Sequence, residues 1–146
     1  MSNIKDYFSE EFINKYKGYN LVVYFYPRDN TPGCTTEAID FTERKEDFEK
    51  LNTKIVGISK DSEKSHENFT KKHNLNLDLI SDKEKVLHDK FDVIKLKKMY
   101  GKEVMGTERS TFIFNVDGEL VKEYRKVRVK GHVEDVYNFL KEYLND

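Results

Sequence analysis

The chain has 146 residues, of which 26 are basic and 27 acidic, for a formal charge of −1. That balance excludes the electrostatic footprint of a nucleic-acid or anionic-membrane binder, and the length suits a single domain over residues 1–146 with one buried core. Charged side chains make up 36% and aromatic ones 13%, with ten Phe and nine Tyr, so a folded soluble protein is expected over a disordered one.

The opening "MSNIKDYFSEEF" lacks the basic and apolar regions of a signal peptide, and no stretch is apolar for long enough to cross a membrane, so a cytoplasmic location is expected. "SEEFINKYKG" reads as a turn leading into the first strand. "NLVVYFY", residues 20–26, is a continuous apolar and β-branched run, the pattern of a strand buried on both faces, and Pro27 ends it. Ala38, Phe41, Phe48 and Leu51 recur at near-helical spacing and predict one amphipathic helix over residues 35–51. "KIVGIS", residues 54–59, is a second buried strand. A strand, a helix and a strand of these lengths make a right-handed βαβ unit with parallel strands. The loop between Tyr26 and the helix then lies at the carboxyl end of a central strand, where open α/β sheets place their sites.

Residues 61–73 predict a second helix with Asp61 or Ser62 as N-cap, and "LDLIS" a short third strand. "SDKE", residues 81–84, has the spacing of a capping box before a short helix containing Val86, Leu87 and Phe91. Residues 93–106 read as a long surface loop. "RSTFIFNVDGELVKEYRKV" predicts a hairpin turning at Asp117-Gly118. Val133, Val136, Tyr137, Leu140 and Leu144 form the apolar stripe of a closing helix. A parallel βαβ half followed by a hairpin and a terminal helix is the layout of an α/β thioredoxin-like fold, a mixed central sheet flanked by helices. His66, His73, His88 and His132 fall in Lys/Glu-rich contexts and read as solvated, which weakens a Cys–His hydrolase reading.

The loop "YPRDNTPGCTTEA" holds Cys34, the only cysteine, so no intrachain disulfide or multi-cysteine metal site can form. Thr31 has the residue type of an N-cap, Pro32 is favoured at the first helical position and Gly33 permits close backbone approach. Cys34 is thereby placed in the first helical turn, where free N–H groups and the helix dipole favour the thiolate. A free cysteine is more often a small buried hydrophobe, but Arg28, Asp29, Asn30, Thr31, Thr35, Thr36 and Glu37 give this one polar surroundings.

"PRDNTPGC" resembles the Pro-x-x-x-Thr-x-x-Cys signature of peroxiredoxins, with Pro27, Thr31 and Cys34 in register. "TPGCTTEA" and "VMGTERSTFIFNVDGELVKEYRKVRVKGH" are similar to the bacterioferritin comigratory protein, or peroxiredoxin Q, branch, over residues 21–146. The resemblance implies a thiol-dependent peroxidase in which Cys34 attacks a hydroperoxide and becomes a sulfenic acid. It implies that Thr31 and Arg109 hold the thiolate and the peroxide, that Pro27 shields the sulfur, and that Glu37 orients Arg109 or a loop amide. It requires no metal or organic cofactor. Read singly, Thr31 caps a helix, Pro27 ends a strand, Arg109 pairs with Glu108 or Glu103, and Glu37 serves the first turn.

Two departures from that pattern stand out. The position that often carries the resolving cysteine is Ile39, and no second cysteine occurs elsewhere, so a one-cysteine cycle with an external thiol is expected: thioredoxin, glutaredoxin or a low-molecular-weight thiol. The lead before the first strand is shorter than in the family, lacks its Ala-Pro-x-Phe motif, and is expected to leave a sheet edge or flank uncovered; a monomer or weak homodimer is anticipated. The rival function is a non-catalytic redox sensor or thiol-binding module on the same fold. A disulfide oxidoreductase is disfavoured by the absence of Cys-x-x-Cys.

Overall fold

The long apolar run at residues 20–26 becomes the centre of the sheet because all of its side chains are shielded on both faces. In the computed structural model, which describes residues 2–145, a 3-10 turn (Ile4–Asp6) and α1 (Glu10–Lys15) lead into β1 (Asn20–Phe25). There follow α2 (Pro32–Glu43), α3 (Lys45–Lys50), β2 (Thr53–Ser59), α4 (Glu63–His73), β3 (Asp78–Ser81) and α5 (Val86–Lys90). The chain continues through β4 (Ile94–Met99), β5 (Lys102–Thr107), β6 (Ser110–Phe114), β7 (Leu120–Tyr124) and α6 (His132–Leu144).

Five strands form a mixed sheet in the order β3-β2-β1-β6-β7. β1 runs parallel to β2, from Asn20 opposite Thr53 to Phe25 opposite Ile58, and antiparallel to β6, from Leu21 opposite Phe114 to Phe25 opposite Ser110. Side chains alternate across β1 with the two-residue strand period. Val22, Tyr24 and Tyr26 face a layer of α2, α3 and α6 side chains that includes Phe41, Phe48, Val136 and Leu140. Leu21, Val23 and Phe25 face Phe91, Phe112 and Phe114 on the other side. Phe91 sits 5.0 Å from Phe25 and 4.7 Å from Phe112, centroid to centroid, a separation at which aromatic rings attract beyond simple burial.

Gly57 is opposite Tyr24 in the β1–β2 register. A Cβ there would come within 2.8 Å of Leu79 and of the Tyr24 ring, so only glycine lets the phenol lean across the neighbouring strand.

Five expectations need correction, the first being the turn read at residues 9–18, which holds the helix α1 capped by the Ser9 hydroxyl. The helix predicted over residues 35–51 begins earlier, at Pro32, and breaks at Arg44 (φ −99, ψ 5); the Arg44 guanidinium stacks 4.4 Å from the Tyr137 ring centroid and pairs with Glu134, anchoring the break on α6. Residues 93–106 are not a loop: β4 and β5 form a separate antiparallel hairpin. Its turn is Tyr100-Gly101, both with positive φ (53 and 78), the conformation that two-residue hairpin turns require.

The capping box at residues 81–84 does not form. Ser81 instead donates its hydroxyl to the Asp61 carbonyl, and the Asp82 carboxylate accepts the N–H groups of Leu87 (3.2 Å) and His88 (2.8 Å) at the start of α5. Nor is the amino-terminal flank bare. Asn3 bridges to Glu119, Ile4 N–H donates to the Gly118 carbonyl at 2.7 Å, and Ile4, Phe8 and Tyr16 are buried in the core on that side. Apolar side chains of the amino-terminal lead thus cover the flank that was expected to lie open.

Candidate active site

Thr31 is extended (φ −85, ψ 151) and Pro32 opens α2, where its fixed φ suits the helix and its missing N–H costs nothing. The first backbone bond of the helix runs from Thr35 N–H to the Thr31 carbonyl at 2.9 Å, so the Cys34 amide lies among those without an intrahelical acceptor. The Thr31 side chain does not cap them; its hydroxyl donates to the Arg28 carbonyl at 2.9 Å. The amides at the helix start are left free to favour an anion beside them.

Cys34 is buried, with 1% of its surface exposed. It nonetheless has a charged neighbour. Arg109, in the short connection between β5 and β6, points one nitrogen, Nη2, at Cys34 Sγ (3.5 Å) and donates with the other, Nη1, to Glu37 Oε1 (2.7 Å). Its backbone carbonyl is fixed by Val127 N–H at 2.9 Å. Gly33 makes room for this: a Cβ would stand 3.2 Å from Arg109 Nη2. Pro27 forms the half-buried bend just after β1.

Glu37, one helical turn beyond Cys34, is wholly buried. Burial pushes its carboxyl up to about 7 against the pull of Arg109, and Oε2 has no hydrogen-bond partner. Tyr24 Oη, also buried and unpartnered, is raised well above its ordinary value by burial and by the charges of Glu37 and Cys34. The surface pairings open to Arg109 in the sequence, with Glu108 or Glu103, do not form; Glu37 takes that place.

The histidines expected in solvent are largely inside. His66, His88 and His132 are all buried. His66 and His132 found polar partners far away in sequence, and His88 one six residues back. His132 Nε2 shares a hydrogen bond with Thr111 Oγ1 at 2.7 Å, and burial holds the imidazole down to about 4, so it is neutral. His88 Nδ1 lies 2.6 Å from Asp82, while its Nε2 is unpartnered and burial keeps its pKa low. His66 Nδ1 lies 2.8 Å from Asp29.

Lys97 on β4 is a further cation that sequence reading missed. It is half-buried, its Nζ donates to the Thr107 carbonyl, and burial together with Arg109 lowers its pKa. Its alternation with Ile94 and Leu96 was the available signal, because it marks a strand. Among the described residues no group of three or more His, Cys, Asp or Glu side chains is arranged to hold a metal ion, and no helix is long and apolar enough to cross a membrane.

The AhpC/TSA family model matches residues 6–123. The chain belongs to the AhpC/TSA family. Relatives within the family are close in sequence: the chain is 52% identical over 130 residues to peroxiredoxin Bcp of Bacillus subtilis, covering 89% of this chain and 83% of that protein. It is 49% identical over 129 residues to peroxiredoxin Bcp of Xanthomonas campestris, covering 88% and 81%. A solved structure of the Xanthomonas campestris bacterioferritin comigratory protein, studied for alkyl peroxide reduction, superposes with a TM-score of 0.85 at 47% identity, covering 90% of this chain and 84% of that one. The thioredoxin-like fold read from the element order is therefore the fold of this AhpC/TSA chain.

Proposed function

We propose that the chain is a thiol-dependent peroxidase that reduces hydrogen peroxide and organic hydroperoxides through a sulfenic acid on Cys34, in a one-cysteine cycle. The observation that carries this is the pair of contacts made by Arg109, to the Cys34 sulfur at 3.5 Å and to the buried Glu37 carboxylate at 2.7 Å. A cation locked in that position stands where charge passes from sulfur to oxygen.

The sulfur attacks the terminal oxygen of ROOH, the O–O bond breaks, and the departing alkoxide or hydroxide takes up a proton to leave as alcohol or water. Sulfur is oxidised by two electrons and the peroxide is reduced by two. Preorganised donors act on developing charge at no reorganisation cost, the usual source of the largest rate gain. Arg109 Nη2 and the free amides of the α2 start supply them here. Gly33 keeps the guanidinium close, Glu37 holds its orientation, and Pro27 limits water at the sulfur. Thr31 braces the loop through the Arg28 carbonyl and can turn its hydroxyl toward peroxide.

An external thiol then condenses with the sulfenic acid, giving a mixed disulfide and water, and a second thiol releases Cys34. Thioredoxin, glutaredoxin or a low-molecular-weight thiol fits this role, in a cytoplasmic monomer or weak homodimer. A redox-sensor reading draws support from the near-complete burial of Cys34, which impedes a protein-borne thiol.

Intact-mass measurement after one equivalent of hydrogen peroxide tests the proposal. A dimedone adduct on wild type, none on Cys34→Ser, and sustained peroxide consumption with added thiol are expected. Oxidation elsewhere with Cys34 untouched refutes it, and a single oxidation that stalls in the presence of thiol selects the sensor.

A further inference from the structure

The loop that ends in Cys34 is tied to the body of the protein at one residue above all others, Asp29. Its carboxylate accepts the Tyr26 hydroxyl at 2.6 Å, the Ser65 hydroxyl at 2.8 Å and His66 Nδ1 at 2.8 Å. Its backbone N–H donates to the Asp61 carboxylate at 2.8 Å. His66 belongs to α4, and its other nitrogen, Nε2, faces the Ile80 carbonyl of β3 at 3.1 Å. Both ring nitrogens thus meet acceptors. A neutral imidazole donates from only one nitrogen, so the geometry calls for the imidazolium. In agreement, burial works against charge on both partners, yet each is shifted toward its ionised form, His66 upward and Asp29 downward, by the other. About two turns further along α4, His73 Nε2 lies 3.3 Å from Asn30 Oδ1, a second tie to the same loop.

None of these groups is hydrogen-bonded to the sulfur, whose partner is Arg109, and the oxidative chemistry above uses none of them. The reductive half of the cycle has a different need. For a thiol to form a disulfide with Cys34, its sulfur must reach Sγ in line, and Cys34 is only 1% exposed. The turn from Asp29 to Cys34 has to open.

We infer that the Asp29–His66 ion pair is a latch that positions the Cys34 loop for peroxide and must loosen before the external thiol attacks the sulfenic acid. This rests on the one-cysteine peroxidase reading. Asp29 and His66 are positioning residues whose strength sets the two half-reactions in opposite directions. A tight latch keeps Cys34 packed under Arg109, and a loose one exposes the sulfur to thiol. Local opening of this kind is a population, so weakening the contacts that close it multiplies the open fraction.

Rapid-quench alkylation followed by intact mass separates the steps, with hydrogen peroxide as oxidant and dithiothreitol as reductant of the preformed sulfenic acid. Asp29→Asn and His66→Gln are expected to speed the dithiothreitol step about tenfold, while the peroxide step stays the same or slows. A merely structural role would slow both together. For folded variants, a dithiothreitol step unchanged or slowed in both overturns the latch.

Wild type supplies a second test that needs no variant. Above the imidazolium's titration one His66 donor is lost, so the reductive rate per dithiothreitol thiolate should climb with pH. The charges facing His66 are Asp29 from the loop and Asp61 from the end of β2, with Tyr26 beside them; Glu63, Glu67 and Lys71 on α4 border the depression above it. A flat profile overturns the latch while leaving the peroxidase intact. If wild type forms no sulfenic acid at all, the peroxidase reading fails and the latch falls with it.

Discussion

Arg109 reaches Cys34 with one nitrogen only because Glu37 holds the other. The carboxylate lies on the same helix as the sulfur, one turn on, and is fully buried, so the guanidinium is gripped from the side opposite solvent. Replacing Glu37 with Gln keeps the shape and removes the anchor charge. The second-order rate of Cys34 oxidation by hydrogen peroxide should fall about tenfold, and Arg109→Ala should lower it about a hundredfold. Rapid-quench alkylation measures both. An unchanged rate in the arginine variant would remove it from the chemistry.

Glu37 and His132 also set how stability depends on pH, with opposite signs. The Glu37 carboxyl is raised from 4.5 to about 7, so the folded chain keeps its proton longer and stability declines as pH rises through that window. His132 is lowered from 6.5 to about 4, so its contribution is complete above 6.5 and is lost as pH falls toward 4. Each is worth on the order of 3 kcal/mol, and over the shared range they offset. Glu37→Gln should unmask a stability that climbs steeply from pH 4 to 6.5, seen in urea melts. Parallel curves for wild type and variant would contradict this.

Gly57→Ala tests the leaning phenol. The new methyl would meet Leu79 and the Tyr24 ring within 2.8 Å, and overpacking of this kind costs about 1–3 kcal/mol. Tyr24, whose phenol feels the Glu37 charge, must then move, so slower peroxide reaction should accompany the lower urea midpoint. A loss of stability with the rate unaltered would uncouple Tyr24 from the site.

The amino-terminal lead is part of the core. Phe8 is stacked 3.9 Å from Phe12 and packs against Phe91 and Phe114. Phe8→Ala should cost about 3–5 kcal/mol in chemical denaturation. A cost below 1 kcal/mol would mean that this flank is dispensable.

Much of this architecture was legible because periodicity reports burial. The run at residues 20–26, the βαβ unit and the closing helix stripe at Val133, Val136 and Leu140 all appear where the pattern placed them. Cys34 and Thr31 were brought out by helix-start chemistry, and Arg109 by resemblance. What stayed hidden depends on contacts between distant segments. Nothing local to Glu37 distinguishes a buried anchor from a solvated first-turn carboxylate, so its pairing with Arg109 came only from resemblance, and nothing near His66 or His132 announces Asp29 or Thr111. The β4–β5 hairpin was missed because its lysines masked a two-residue alternation around Tyr100-Gly101.

The Cys34 sulfur and the Arg109 guanidinium are separated by 75 positions along the chain and meet only once β6 has annealed onto β1. Such a long-range closure is slow and entropically demanding relative to the local helix that carries the thiol. A nascent or partly unzipped polypeptide therefore presents a cysteine without its cation. Reactivity toward peroxide becomes a reporter of completed topology, and damage that parts those two strands will quench it even where α2 itself is intact.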